Sequence, residues 1–122
     1  MSIKLFDAEL KVMEVLWDGG DMPANAITKR LKDEIGWNIN TTYTIINKLE
    51  QKGALEKKAV SIRKTFCHAL ISKEEVQVAE LDELVNKVFS GSSQNLFAAL
   101  AGREDLPAEV AKKLRMMIDE MG

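Results

Sequence analysis

Residues 38–53 of this 122-residue chain read NINTTYTIINKLEQKG and contain its clearest structural pattern. The residues that recur at the helical spacing i, i+3, i+4 and i+7 are Thr42, Ile45, Ile46 and Leu49. That spacing predicts an amphipathic helix over residues 40–51, with these side chains on its inward face. Asn38 is suited to cap the start of this helix, and Gly53 is suited to end it.

The residues before this helix predict two further helices. Asp7 is suited to be the N-cap of the first, and two consecutive glycines end it. Its predicted inward face consists of Ala8, Val12, Val15 and Leu16. Pro23 is suited to the first position of the second helix, which Gly36 ends. Because a short turn containing glycine joins this second helix to the helix over residues 40–51, the pair reads as a helix-turn-helix.

After Gly53 the pattern changes from helical to extended. Residues 54–58 and 64–70 read as two short strands around a polar turn at residues 60–63, and the Thr, Phe and Cys of the second run favour a strand. A hairpin directly after a helix-turn-helix is the wing of a winged helix. The predicted fold class is therefore mainly α with a small β-hairpin wing, and residues 1–71 form a winged helix-turn-helix domain.

The remaining residues, 72–122, predict three amphipathic helices. Ser72 and Glu75 form a capping box at the start of the first, residues 94–101 form a short second helix, and Pro107 begins the last. These helices have apolar stripes but too little mass for an independent core, so we expect a second copy of the chain to cover them. The tail is thus a predicted helical dimerisation domain. Its predicted interface consists of Leu81, Leu84, Val85, Val88, Phe89, Leu96, Phe97, Leu100, Val110, Leu114, Met117 and Ile118.

The charge of the chain is unevenly distributed. The formal net charge is −2, which by itself does not suggest a polyanionic partner. However, residues 28–70 carry nine basic side chains against four acidic ones, whereas residues 71–122 carry six against ten. A basic block beside an acidic block indicates one surface that meets phosphate and another that does not, as in nucleic-acid-binding proteins.

The outward face of the helix over residues 40–51 indicates which partner the basic surface binds. Its side chains are mostly short and polar, whereas solvated helix faces usually carry better helix formers such as Glu, Lys, Gln and Arg. In the major groove of DNA, Asn pairs with adenine, Thr contacts a base or a thymine methyl group, and the N-terminal half of a recognition helix reaches the bases. The residues predicted to contact bases or nearby phosphates are Asn40, Thr41, Tyr43 and Thr44, and those predicted to contact the backbone are Asn47 and Lys48.

The wing is the second predicted contact. The basic residues around the hairpin are Lys57, Lys58, Arg63 and Lys64. Clustered positive charge of this kind suits a phosphate strand or the minor groove. The predicted partner of the helix and the wing together is double-stranded operator DNA.

Other functions find no support in the sequence. Cys67 is the single cysteine, which excludes an internal disulfide and a zinc site built on a cysteine pair. As neighbours in a strand, Cys67 and His68 point to opposite faces and do not form a metal site or catalytic pair. There is no glycine-rich phosphate loop, and we expect neither a cofactor nor an enzymatic activity. No apolar run reaches the roughly 18 residues of a membrane span, and the N-terminus lacks a signal-peptide core, so a cytoplasmic protein is expected.

Several segments resemble a known family. Residues 7–17, DAELKVMEVLW, look like the first helix of the penicillinase-repressor family, which regulates β-lactamase and methicillin-resistance genes and includes copper-responsive repressors. Trp37, Thr41, Thr44 and residues 48–55 look like the turn and recognition helix of that family. The resemblance implies a homodimer that binds a palindromic operator and blocks transcription. It also implies that Thr41 and Thr44 face DNA, and that the C-terminal helices of the two subunits interlock.

The chain departs from the family pattern in three places. The family's wing commonly has a Gly-Arg pair before its aromatic strand, whereas residues 61–66 read SIRKTF here, which is one residue longer. Members released by a membrane sensor are cleaved at an Asn-Phe bond in the tail, a position that falls near Ala99 and Leu100 here. The copper-responsive members end in Cys-x-Cys motifs, which this chain lacks. Release by copper or by cleavage at that bond is therefore not expected, and a sensor or protease partner stays open.

Two other interpretations stay open as well. The winged helix could be a protein-interaction module whose recognition face binds another protein. Alternatively, the chain could be a one-component regulator with a small ligand bound between the tail and the DNA-binding domain. A salt-dependent affinity for promoter DNA would distinguish a DNA reader from the first alternative. For the second, the sequence shows no convergent polar pocket, although ligand pockets are largely apolar.

Overall fold

The computed structural model describes residues 3–121, except for the side chain of Met121. Its elements are α1 (Asp7–Gly19), β1 (Met22–Pro23), α2 (Ala24–Ile35), α3 (Ile39–Lys52), β2 (Leu55–Ser61), β3 (Lys64–Ala69), α4 (Lys73–Val88), α5 (Ser93–Ala101) and α6 (Ala108–Met121). This order confirms the predicted class, a mainly α protein with a small hairpin after a helix-turn-helix. Contacts divide the chain into an N-terminal unit, Met1–Gln77, and a C-terminal unit, Val78–Gly122. That division falls within α4, whereas the sequence placed the boundary between residues 71 and 72.

The core of the N-terminal unit lies between its first three helices and the sheet. The fully or almost fully buried apolar residues there include Val12, Met13, Leu16, Ile27, Leu31, Ile46, Leu49, Leu55 and Cys67. On α3, Thr42, Ile46 and Leu49 are buried and Ile45 is half-buried, so the predicted inward face of this helix is confirmed. Burying a large aliphatic side chain stabilises the fold by about 1.5–3 kcal/mol, and this face therefore fixes which side of α3 is left for solvent.

The ends of α3 are set by the residues expected from the sequence. The side-chain oxygen of Asn38 accepts a hydrogen bond from the backbone N–H of Asn40 at 2.8 Å, which satisfies one of the donors left free at a helix start. Gly53 has φ +81°, in the left-handed region that favours glycine, and the next N–H, of Ala54, donates to the carbonyl of Leu49 at 2.9 Å. The helix spans Ile39–Lys52, one residue longer at each end than predicted.

Two predicted helix starts were wrong by one residue. Helix α1 has Phe6, not Asp7, at its N-cap, because the carboxylate of Glu9 accepts a hydrogen bond from the Phe6 backbone N–H at 2.9 Å. Pro23 is the N-cap of α2 rather than its first residue. Its backbone is extended because Met22 and Pro23 form a short strand, β1, which pairs with β3.

The sheet has the strand order β1-β3-β2 and is antiparallel throughout. The hairpin of β2, β3 and the turn between them, residues 55–69, is called the wing below. β2 is longer than predicted and the turn is shorter, because β2 continues to Ser61 and the turn contains only Ile62 and Arg63. A bulge between Ala59 and Ser61 leaves Val60 without an opposing residue in β3.

The C-terminal unit contains the end of α4 together with α5 and α6, and the last two pack on each other. Leu96, Ala101 and Ala111 are buried there. Helix α6 begins at Ala108, and the carbonyl of Pro107 accepts the hydrogen bond from Ala111 that opens it. Across residues 3–121 no helix combines the length and the apolar character needed to cross a membrane.

Candidate nucleic-acid interface

The first two turns of α3 present a polar surface. Asn40, Thr41, Tyr43 and Thr44 are all exposed, and they occupy the side of α3 opposite its buried residues. Within the described residues, the side chains of Asn40, Thr41 and Tyr43 make no hydrogen bond or ion pair. An Asn side chain with both its amide N–H and its carbonyl free can bond the two edge atoms of one adenine.

Thr44 differs from its neighbours because its hydroxyl is already engaged. The Thr44 hydroxyl donates to the backbone carbonyl of Asn40 at 2.9 Å, one helical turn earlier. This hydrogen bond fixes the side chain and uses its only donor, so the oxygen lone pairs and the methyl group remain for a partner. In this rotamer Thr44 can accept from a base amino group or contact a thymine methyl group.

Lys57 ties the wing to the recognition helix α3. Its ammonium group donates to the side-chain oxygen of Asn47 at 3.1 Å and lies 3.6 Å from the carboxylate of Glu50. In the sheet Lys57 stands opposite the buried Cys67, so it belongs to the face that turns toward α3. Part of the positive charge predicted to meet phosphate is therefore shared with a neighbouring carboxylate.

The remaining basic residues of the wing are less engaged. Lys58 lies 3.6 Å from Glu56, and both side chains are about half-exposed. Arg63 and Lys64, at the turn, are exposed and make no ion pair within residues 3–121. Lys48, on α3, is likewise exposed and unpaired in that range. The uncompensated charge of the predicted interface thus lies at Lys48 and at the tip of the wing.

An ion pair that the sequence did not predict anchors the C-terminal end of α3. The Lys52 ammonium lies 2.6 Å from Glu9 of α1, donates to the carbonyl of Lys4 at 3.0 Å, and lies 4.5 Å from the ring centroid of Phe6. Glu9 is almost fully buried, with 3% of its side chain exposed. Because the pair links residues far apart in the chain, helical spacing alone contained no signal for it. The ion pair of Lys52 with Glu9 holds α3 against α1.

Cys67 and His68 are neighbours in β3 with different surroundings. Cys67 is buried, and this burial raises the pKa of its thiol, with a smaller opposing effect from the charge of Lys57. The His68 ring nitrogen Nδ1 lies 2.9 and 3.0 Å from the two carboxylate oxygens of Asp21, on the other side of the strand. The described part of the chain contains no group of His, Cys, Asp and Glu that could hold a metal ion.

The predicted interface residues of the tail divide into two sets. Leu81, Leu84, Val88, Val110 and Met117 are exposed. The others are covered to different degrees within the C-terminal unit: Leu96 is buried, and Val85, Phe89, Phe97, Leu100, Leu114 and Ile118 are half-buried. The exposed members of the predicted set, like Val78 and Met116 outside it, are large apolar side chains that the chain leaves open to solvent.

The fold and this surface define a winged helix-turn-helix protein with a polar recognition helix and a basic wing tip. The chain belongs to the penicillinase repressor family, whose model matches residues 5–120. The match covers both units, so the tail is part of the family pattern as well as the winged helix.

Curated relatives and solved structures agree with this assignment. The methicillin resistance regulatory protein MecI of Mammaliicoccus sciuri is 25% identical over 118 residues, which cover 96% of this chain and 94% of MecI. The penicillinase repressor of Bacillus licheniformis is 22% identical over 117 residues, which cover 96% and 91%. These relatives are named as a regulator and a repressor, which confirms the prediction of a regulatory protein rather than an enzyme.

Two solved structures are similar to part of the chain. The DNA-binding domain of the repressor BlaI has a TM-score of 0.52 and 28% identity, covering 60% of this chain and 88% of that one. Monomeric Bacillus licheniformis BlaI in complex with the blaP half-operator has a TM-score of 0.54 and 29% identity, covering 61% and 90%.

Proposed function

We propose that this chain is a sequence-specific DNA-binding repressor of transcription that acts as a homodimer on a palindromic operator. The observation that carries the proposal is the exposed polar face formed by Asn40, Thr41, Tyr43 and Thr44 on α3, where Thr44 alone makes a side-chain hydrogen bond within the described residues, to the carbonyl of Asn40. That face belongs to a fold whose relative BlaI was solved in complex with a half-operator. Helix α3 then enters the major groove, and its N-terminal turns meet the base edges.

Different parts of the surface have different tasks in this proposal. The side chains at the start of α3 read bases, whereas Lys48, Arg63 and Lys64 contact phosphates and set the position of the protein on the duplex. Lys57 has a supporting task, since it already bonds to Asn47 and so holds the wing beside α3. A bound protein represses by occupying DNA that the transcription machinery requires.

The exposed apolar surface of the tail supports the homodimer. Exposed aliphatic residues of α4, namely Val78, Leu81, Leu84 and Val88, recur at helical spacings and form one stripe in the C-terminal unit. Contiguous apolar stripes of this kind are costly to leave in water, and a second copy of the same stripe can cover them. In a symmetric dimer two α3 helices then read half-sites about 34 Å apart.

The proposed function is tested by binding to DNA fragments from the region upstream of the protein's own gene. We expect a shift of at least one fragment, with an affinity that falls steeply as salt rises, because contacts to phosphate release counterions. The matched control is a scrambled fragment of the same length and base composition. Equal affinity for both fragments, or no binding at low salt, would contradict a sequence-specific repressor.

Replacing the base-reading side chains is expected to weaken specific binding selectively. Asn40→Ala and Thr44→Ala should each cost about 1–3 kcal/mol on the selected operator and leave binding to the scrambled fragment nearly unchanged, because each side chain contacts a base edge. Fluorescence anisotropy titrations on both fragments measure the difference. Asn86→Ala, an exposed site on α4, is the matched control. An equal loss on both fragments would show that Asn40 and Thr44 contact phosphate instead.

Removing charge from the wing tip is expected to change the salt dependence instead. Arg63→Ala and Lys64→Ala should each reduce the slope of log affinity against log salt by about one, on every sequence, because each removes one phosphate contact. Lys57→Ala should reduce the slope less, since Lys57 is shared with Asn47 and Glu50. Titrations at several salt concentrations measure the slopes, with Lys112→Ala on α6 as the control. Unchanged slopes for Arg63→Ala and Lys64→Ala would remove the wing from the interface.

A further inference from the structure

Asn47 lies on the outward face of α3, in line with two of the residues proposed to read bases. It follows Asn40 by seven residues and Thr44 by three, and it is exposed. At about 1.5 Å per residue, Asn47 is about 10 Å further along the helix than Asn40, which corresponds to about three base-pair steps. Because a recognition helix contacts bases over about two turns, Asn47 is within reach of a further base pair.

The side-chain oxygen of Asn47 is bound by a residue of the wing. The Lys57 ammonium donates to Oδ1 of Asn47 at 3.1 Å and lies 3.6 Å from Oε1 of Glu50. Glu50 is three residues after Asn47 on α3, so one ammonium group spans two neighbouring side chains of the helix. An ammonium group has donors and no acceptor. The bond therefore requires the oxygen of the Asn47 amide to face Lys57, and its NH₂ group to face away.

The sheet fixes where Lys57 lies. In the register of the hairpin Lys57 is opposite Cys67, which is buried with a relative exposure of 1%. Leu55, two residues earlier in β2, shares that face and is equally buried. Lys57 thus extends from the face of the wing that packs on α3, and its side chain is 36% exposed. Because exposed pairs contribute little to stability, the consequence of the bond lies in what Asn47 can offer to a partner.

Together these two side chains offer only hydrogen-bond donors to the major groove. A free Asn side chain recognises adenine by donating to N7 and accepting from the amino group at N6. The oxygen of Asn47 keeps one lone pair, but an amino group that approached it would meet the ammonium of Lys57, which is also a donor. Guanine presents two acceptors, N7 and O6, at the same edge. The pair is therefore complementary to guanine and not to adenine.

We propose that Asn47 and Lys57 form one reading element that selects guanine in the major groove. Asn47 donates from its NH₂ group to the acceptors of the base, and Lys57 is the positioning residue that turns this group toward the base. The inference rests on the proposed function and adds a base pair to those read by the first two turns of α3. It gives Lys57 a part in base specificity, which a contact to phosphate does not have.

The first test finds the base pair that Asn47 reads. Affinities of the native protein and of Asn47→Ala are measured for operator variants in which one pair at a time is changed. We expect one position at which the native protein prefers guanine to adenine about tenfold and Asn47→Ala has lost this preference. Inosine·cytosine keeps the major-groove edge of G·C and lacks the amino group in the minor groove. At this position it should bind the native protein as G·C does.

The second test separates positioning by Lys57 from a merely structural role. Lys57→Met frees the Asn47 amide to turn, so the preference at this position should change from guanine to adenine. Lys57→Arg keeps a donor beside Asn47 and should retain the preference for guanine. Lys58→Met is the matched control, because Lys58 is the next residue of β2 and lies on the other face. A structural defect would weaken binding to both bases alike, and thermal unfolding checks that the variants remain folded.

The outcomes distinguish this inference from the proposed function. If Asn47→Ala keeps every base preference of the native protein, Asn47 does not read a base, and the inference fails while the repressor stands. If Asn47→Ala loses the preference for guanine but Lys57→Met keeps it, Asn47 reads without help from Lys57 and the positioning is overturned. A native protein that binds no operator fragment overturns both the inference and the proposed function.

Discussion

Lys52→Met is expected to lower the free energy of unfolding by about 3 kcal/mol, which is a large part of the stability of a small domain. The substitution leaves the carboxylate of Glu9 buried beside an apolar side chain, with only the backbone N–H of Phe6 still bonded to it. Removing one partner of a buried ion pair typically costs 3–5 kcal/mol. We expect the lower end, because 29% of the Lys52 side chain is exposed and water can reach the remaining carboxylate.

Chemical denaturation of the full chain measures this effect, and the design has an internal control. Lys48→Met removes an exposed lysine one turn earlier on the same helix and should change the free energy of unfolding by less than about 0.5 kcal/mol. The double variant Glu9→Gln, Lys52→Met removes the orphaned charge and should recover part of the loss. A Lys52→Met variant as stable as Lys48→Met would show that the pair contributes nothing to holding α3.

The ion pair also illustrates the limit of local sequence patterns. The inward face of α3 and the residues that cap it, Asn38 and Gly53, were predicted correctly because they depend on neighbours within one or two turns. The contact of Lys52 with Glu9 joins residues 43 positions apart. The helical periodicity places Lys52 near the end of a helix. Only the packing of α1 against α3 brings its charge to that of Glu9.

The same distinction explains the errors in the sheet. β1 consists of only Met22 and Pro23, and it exists because β3 provides its hydrogen-bonding partner more than 40 residues later. Pro23 was therefore predicted to be the first residue of α2, although it is also the last residue of β1. In the wing, pairing across the hairpin extends β2 to Ser61, into the segment 60–63 that was predicted to be the turn. Pairing with a second strand, which the pattern of one segment alone does not show, sets both boundaries.

More of the candidate interface than of the sheet could be predicted from the sequence. The exposed positions of Asn40, Thr41, Tyr43 and Thr44 follow from the buried positions between them, since one helix face determines the other. The sequence does not show which hydrogen bonds each of these side chains makes. The bond from Thr44 to the Asn40 carbonyl and the bond from Lys57 to Asn47 both change what those groups can offer to DNA.

A charged residue in the apolar stripe of α4 is expected to break the proposed dimer. Leu84→Asp and Val88→Asp each place two carboxylates in a symmetric interface, where an unpaired buried charge costs several kcal/mol. We expect monomers at micromolar concentration by sedimentation velocity and a loss of operator affinity of about 10²–10⁴-fold, because the two half-sites then bind independently. Binding of a single half-site should remain, since α3 and the wing are unchanged.

The matched control for these variants is Asn86→Asp, which adds the same charge to the same helix. Asn86 is exposed and lies about half a turn from Leu84 and Val88, on the opposite side of α4. We therefore expect Asn86→Asp to remain a dimer and to bind the full operator as the native chain does. Intact dimers for both Leu84→Asp and Val88→Asp would place the interface on α5 or α6 instead. A native chain that sediments as a monomer at the same concentration would contradict the homodimer itself and, with it, the cooperative use of a palindrome.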